Sequence, residues 1–155
     1  MKVILKAFLL FLICLVCACS QKQELIEINI DKQLADFAKN NDPSGIDLCS
    51  AIPLKTWDEI VVIGPYSTED RLKPFKIKNL ATVKDKVLSE SYDEGECMLV
   101  YLKNKEAIAY SVVSRFPVDF VMNGADVYSF KYEQCDSIVF IQERDKRFQI
   151  MRVGK

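Results

Sequence analysis

Asp58 and Glu59 stand side by side in a chain that contains no histidine. Two carboxylates can divide general acid and general base work when they converge on one substrate. These two precede the apolar run Ile60-Val61-Val62-Ile63, which reads as a strand. Successive strand side chains point to opposite faces, so the pair is expected to diverge and to act as solvated charge. Asp93-Glu94-Gly95-Glu96 is a second acidic group. It lacks the ligand spacing and the downstream glutamate of a calcium loop. Without histidine there is no Ser-His triad, no histidine-containing metal site and no side chain that ordinarily titrates near neutrality. No catalytic set, metal site or cofactor is expected, and the chain reads as a non-enzyme.

Sulfur is the other reactive element. The sequence has six cysteines, of which Cys14, Cys17 and Cys19 lie near the N-terminus and Cys49, Cys97 and Cys135 in the body. None of the last three sits in a CxxC pair, which argues against zinc and against thioredoxin-like chemistry. In an oxidising compartment two of them can pair. Cys97 with Cys135 is the favoured combination, since both fall at polar ends of predicted strands. Such a bridge would stabilise the fold by about 4 kcal/mol on the chain-entropy model. Cys97–Cys135 is thus favoured among the three possible pairings, while three reduced, partly buried thiols are the reading set slightly ahead of any bridge.

The elements that position these groups read as α+β. The segment 24–41 carries Ile26, Ile30, Leu34, Phe37 and Ala38 at helical spacing, yet Ile26-Glu27-Ile28-Asn29-Ile30 also alternates as a strand would. A helix after a capping Asp31 reconciles the two, and Asn40-Asn41-Asp42-Pro43-Ser44-Gly45 stops it. The stretch from Trp57 to Tyr66 predicts a strand covered on both faces, closed by Gly64-Pro65. Ser67 and Asp70 have capping-box spacing for a short helix that ends near Pro74. A second short helix is expected from Thr82 to about Ser89. Strands follow at 97–103, 106–114, 127–132, 137–142 and 148–153, with Asn104-Lys105 and Arg144-Asp145-Lys146 as hairpin turns and Pro117 as a break. The expected architecture is an N-terminal helix and short helices packed on one face of a mainly antiparallel sheet of about five to six strands.

The first twenty residues set the cellular context. Lys2 and Lys6 precede twelve apolar residues, Ala7 to Ala18, which Val16-Cys17-Ala18-Cys19 closes before the polar run Ser20-Gln21-Lys22-Gln23-Glu24. A membrane-spanning helix needs roughly 17–25 such residues, and a signal-peptide core roughly 7–15. The pattern resembles a bacterial lipoprotein signal peptide, although Cys17 departs from the small or hydroxyl residue usual there. The resemblance implies diacylglyceryl transfer to the Cys19 sulfur and cleavage between Ala18 and Cys19. A permanent span and simple secretion are the alternatives. Two acyl chains hold a protein on a bilayer where one short chain binds reversibly. The resulting division is a leader 1–18, a tether 19–24 and one domain 25–155. Removing the leader with its two lysines takes the formal charge from -1 to -3, which gives no electrostatic case for nucleic acid. Ser20 in place of aspartate implies, by the same resemblance, sorting to an outer membrane where the host has one, and otherwise anchoring at the cell membrane.

Within the domain, Ile46-Asp47-Leu48, Trp57-Asp58 and Gly64-Pro65-Tyr66-Ser67 resemble a pattern in small membrane-tethered bacterial proteins of uncharacterised function. Trp57 and Tyr66 are the candidate binding residues, because amphipathic aromatics anchor interfaces. The plainer reading places Trp57 in the core and Tyr66 in a turn. Tyr101, Tyr110, Tyr128, Phe130, Tyr132, Phe140 and Phe148 stud the predicted strands and could stack sugars, although core packing is their commoner use. The expected role is a lipid-anchored envelope protein, its domain outside the cytoplasm, that binds another protein, an immunity-type inhibitor being a narrower version. The rivals are a carbohydrate or small-ligand binder, and an envelope-polymer enzyme working through carboxylates such as Asp58, Glu59, Asp119 and Asp126.

Overall fold

The β-branched run after Glu59 builds the centre of the molecule. A computed structural model describes residues 24–40, 48–88, 94–120, 127–142 and 148–152. The leader 1–18, Cys19 and most of the tether, the helix stop after Asn40, Asp93, Asp126 and the 144–146 turn lie outside the described residues. Strand β2 (Glu59–Ile63) is buried along its whole length. It pairs antiparallel with β3 (Glu96–Lys103) on one side and with β6 (Val127–Lys131) on the other. Strand β4 (Glu106–Ser114) continues the sheet beyond β3, and the two-residue β1 (Ile26–Glu27) closes that edge in parallel with β4, giving the order β1-β4-β3-β2-β6. A second, three-stranded sheet, β5-β8-β7, is formed by Val118–Asp119, Phe148–Arg152 and Ile138–Gln142.

Alternation along β2 and β3 divides the core in two. Ile60, Val62, Cys97, Leu99 and Tyr101 face one side, where helix α1 (Asp31–Asn40), the short α2 (Leu48–Ala51), Trp57, Val118, Phe120 and Ile138 cover them. Val61, Ile63, Met98, Val100 and Leu102 face the other, under Leu72, Ile77 and Val83. Those three residues come from α3 (Glu69–Leu72), from the loop after a 3-10 turn at Lys73–Phe75, and from α4 (Leu80–Val83), which runs on into a π-helical turn at Lys84–Leu88. The fold class is α+β, as expected. The helices do not share one face, however. Both faces of the sheet are apolar, and each buried aliphatic side chain contributes about 1.5–3 kcal/mol, so both need a cover. A charged replacement at Val61 or Val100 would strand a charge between the sheet and the 69–88 segment.

Local readings fare unevenly. Asn104 and Lys105 form the β3–β4 turn with φ of 50° and 65°, the left-handed pair that a two-residue hairpin needs. The ambiguous N-terminal segment becomes a short strand followed by a helix. The Asp31 amide donates to Asn29 Oδ1 at 3.0 Å, so the side chain that serves the helix start belongs to Asn29 and not to Asp31. The Ser67–Asp70 box does not form. Thr68 is the cap residue of α3 and makes no side-chain cap bond, while the Ser67 hydroxyl donates back to the Gly64 carbonyl at 2.8 Å. The Phe116–Pro117 peptide is cis.

The expected Cys97–Cys135 bridge is not present. Cys135 pairs with Cys49 across 86 residues, and Cys97 is a buried free thiol. Cys97 belongs to the inward-facing set of β3, whereas Cys135 lies on a 3-10 turn (Tyr132–Ser137) that packs against α2. Burial first, and the nearby Asp119 carboxylate second, push the Cys97 thiol far above its ordinary value. A thiol so placed is chemically inert.

Candidate functional site

The two aromatic residues singled out from the sequence sit at opposite ends of β2. Trp57 precedes the strand and is 2% exposed. Its ring packs edge-on against Tyr132 at 4.9 Å and Phe130 at 6.4 Å. The indole Nε1 is buried and meets no acceptor among the described residues, which costs about 1–3 kcal/mol. Trp57 is therefore a packing residue of the first core.

Tyr66 follows β2 and is 69% exposed. Its φ of 60° places a bulky residue in the left-handed region, at a cost of about 1–2 kcal/mol. The geometry follows from Gly64-Pro65, which reverses the chain after the buried strand. The phenol donates to Glu94 Oε1 at 2.8 Å. Glu94 is positioned from behind by Arg115. The Arg115 backbone N–H donates to the Gly95 carbonyl at 2.7 Å, and its Nη1 donates to the Glu94 carbonyl at 3.0 Å. The same guanidinium grips Asp119 in two-point fashion, Nε to Oδ1 at 3.1 Å and Nη2 to Oδ2 at 2.9 Å. Asp119 is 2% exposed and Arg115 26%. Bidentate charge-assisted bonds of this kind are both strong and directional. A relay of polar contacts thus runs from the buried Asp119 through Arg115 and Glu94 to the exposed Tyr66 ring. Phe116, 60% exposed, sits beside Arg115 at the same end of the sheet.

The opposite end of the sheet is polar. Asp58, Glu59, Asn104, Lys105, Lys131 and Glu133 line an open concavity of about 220 Å³. Asp58 accepts from Lys103 Nζ at 2.7 Å and from the Asn104 amide at 2.6 Å, which holds its carboxyl below the ordinary 3.8. Glu59 accepts from Ser129 Oγ at 2.7 Å and from Lys105 Nζ. The expected divergence of Asp58 and Glu59 is therefore wrong. Strand geometry starts only at Glu59, and Asp58 lies in the bend before it, so both side chains reach one hollow. Each is taken up by a lysine. Asp58, stabilised in its ionised form, suits charge pairing better than proton donation.

The remaining candidates are dispersed. Asp119 serves Arg115. Of the C-terminal aromatics, Tyr101, Tyr110 and Phe130 are buried, Tyr128 is half-buried, and Tyr132 is 43% exposed; stacking on a sugar needs rings that are open. The side chains of Phe140 and Phe148 lie outside the described residues. Among the described residues no group of His, Cys, Asp and Glu could hold a metal ion, and no helix is long and apolar enough to cross a membrane.

Sequence reasoning missed Phe116 and the Arg115 clamp. The signal was present as Arg115-Phe116-Pro117-Val118-Asp119. An aromatic before a proline marks a turn that exposes it, and oppositely charged residues four apart bracket that turn. Comparison of the chain with protein-family models, with curated proteins and with solved structures finds no match.

Proposed function

We propose that this chain is a lipid-anchored, non-enzymatic envelope protein, held through Cys19, whose domain binds another protein with the Tyr66 end of its central sheet. The observation that carries the anchor is the box Val16-Cys17-Ala18-Cys19 at the end of a twelve-residue apolar core, with regular pairing beginning at Ile26. The tether is too short to form a domain of its own. Support for the binding surface comes from Tyr66 and Phe116, two large aromatics left open at one end of a sheet whose central strand β2 is buried throughout. Exposed aromatics on a rigid mount carry much of the energy in protein interfaces. Left-handed backbone at Tyr66 is a cost to folding that an interaction of its ring would offset.

The test has two readouts. In cells, Cys19→Ala is expected to accumulate as the unprocessed precursor without acyl label. Crosslinking on intact envelopes is expected to recover a stoichiometric partner with the native chain and to lose it with Tyr66→Ala combined with Phe116→Ala. Processing and acylation of the Cys19→Ala chain would remove the anchor. A partner recovered equally by the double variant would remove the proposed surface.

A further inference from the structure

We infer that the open stretch of the β4 edge, Val112 to Ser114, takes an extended segment of the partner protein as an added strand, with the exposed Phe116 ring beside it. This rests on the reading that the Tyr66 end is the binding surface, and it names what that surface recognises. Hydrogen-bond phase sets which groups are open. The Arg115 N–H donates at 2.7 Å to the carbonyl of Gly95, which lies opposite it in the β3–β4 register. In an antiparallel pair such bonded positions alternate with non-bonded ones. Val113 and Ser111 therefore point their backbone groups at β3, and Val112 and Ser114 point theirs away from it. Tyr110 has the same phase: its carbonyl faces outward and accepts from the Ile28 N–H at 2.8 Å.

Strand β1 fills this edge only as far as Tyr110. Beyond Ile28 the chain turns into the first core, where Ile30 is buried just ahead of α1. The Ile28 carbonyl, which would otherwise meet the Val112 N–H, accepts from the Ser111 hydroxyl instead. The N–H and C=O of Val112 and of Ser114 are thus four outward groups with no partner among the described residues. Ser114 is exposed and Val112 half-buried. Proteins blunt an open strand edge with lysine, proline or a covering element. Residues 107–114 contain neither lysine nor proline. An edge of this kind binds an extended chain through main-chain hydrogen bonds, and side chains at alternate positions supply specificity. Phe116 supplies an apolar contact. Its N–H donates to Ser114 Oγ at 3.2 Å, which holds the residue next to the end of the open stretch. A second copy of this chain fits the edge less well than a free segment. In a two-fold antiparallel pairing about Val113, Tyr110 of each copy, with β1 already on it, falls opposite Phe116 of the other. A segment without such a neighbour continues the pairing that β1 begins.

The experiment joins residue-resolved amide hydrogen exchange on the full mature chain to partner recovery by crosslinking on intact envelopes. In the chain alone, Val112 and Ser114 are expected to exchange at least roughly tenfold faster than Val113, whose N–H is bonded to β3. Addition of the recovered partner is expected to slow those two amides by about the same factor. Val112→Pro removes an outward N–H and no ladder bond. It is expected to keep the protection of Val113 and to cut partner recovery roughly tenfold. The exchange arm uses the native chain and decides the matter should Val112→Pro not fold. A partner kept by Val112→Pro but lost with Tyr66→Ala and Phe116→Ala would overturn the added strand and leave the Tyr66 end as the surface. Slow exchange at Val112 and Ser114 in the dilute chain alone would mean a covered edge and overturn it as well. Protection that appears only as the concentration of the chain rises would assign the edge to a second copy and overturn the partner segment. A partner kept by every variant would overturn the surface and this inference with it.

Discussion

The two ends of β2 differ in how they use their side chains. At the Trp57 end an aromatic is buried, carboxylates are matched by lysines, and the turn is held to its neighbours by backbone and side-chain bonds. At the Tyr66 end the aromatics are open, and the polar contacts lie beneath them, running back to the buried Asp119. One end matches its carboxylates with lysines, and among its buried side-chain groups the Trp57 Nε1 is left without an acceptor among the described residues. The other keeps apolar surface in water and fixes it in place, which is what a docking surface requires. Exposure within a rigid frame, more than residue type, separates a core aromatic from a candidate contact.

The difference can be broken or sharpened by substitution. The largest effect is expected where the disulfide staples the Trp57 end. Cys49→Ala with Cys135→Ala removes a bridge of sequence separation 86, and the chain-entropy model gives a loss of about 4–5 kcal/mol. Denaturant midpoints read the loss. Thiol counting checks the premise: the unfolded, unreduced mature chain should alkylate at Cys97 alone, and the native chain at neither Cys97, Cys49 nor Cys135.

Arg115→Ala comes next. It leaves the buried Asp119 carboxylate without its cation, at a cost of about 3 kcal/mol. Hydrogen exchange should quicken at Gly95 and Tyr66 while Asn104 and Lys105 stay unchanged. Acceleration at both ends alike would mean that the clamp is not local.

Tyr66→Gly is expected to move two quantities in opposite directions. Relief of the left-handed tyrosine should raise stability by about 1 kcal/mol, while partner recovery falls roughly tenfold. A destabilised chain that still binds would contradict the reading of Tyr66 as a contact residue held at a cost.

The smallest effect is a pH response at the hairpin. The Lys103 hydrogen bond, followed by that of the Asn104 amide, lowers the Asp58 carboxyl from 3.8. A depressed folded value means that the contribution is fully present above 3.8 and is lost as pH falls through the lower folded value. The Asn104 amide resonance should therefore titrate below pH 3.8, and it should not titrate in Asp58→Asn.

Periodicity made most of the strands legible. The unbroken β-branched run after Glu59 announced a strand covered on both sides, and Asn104-Lys105 between alternating segments announced the hairpin. The division into two sheets was not legible, because β1 and β5 are two-residue strands that exist only through parallel partners distant in sequence. The disulfide was misread for a similar reason. Cys97 and Cys135 both looked strand-terminal, but pairing depends on which face of β3 a residue takes and on where α2 carries Cys49. At the candidate site, Tyr66 could be named from its residue type and turn context. Phe116 and Asp119 were marked by the 115–119 segment, but the link from Arg115 through Glu94 to Tyr66 emerges only when the loops after β2 and β4 and the loop before β3 are brought to one end of the sheet.

The central claim is that a lipid on one sulfur tethers this domain, and the intact mass of the chain purified from native membranes tests it most directly. The account predicts a polypeptide that begins at Cys19 and carries the added mass of at least a diacylglyceryl group. A chain that begins at Met1, or one whose Cys19 thiol is unmodified, would contradict it.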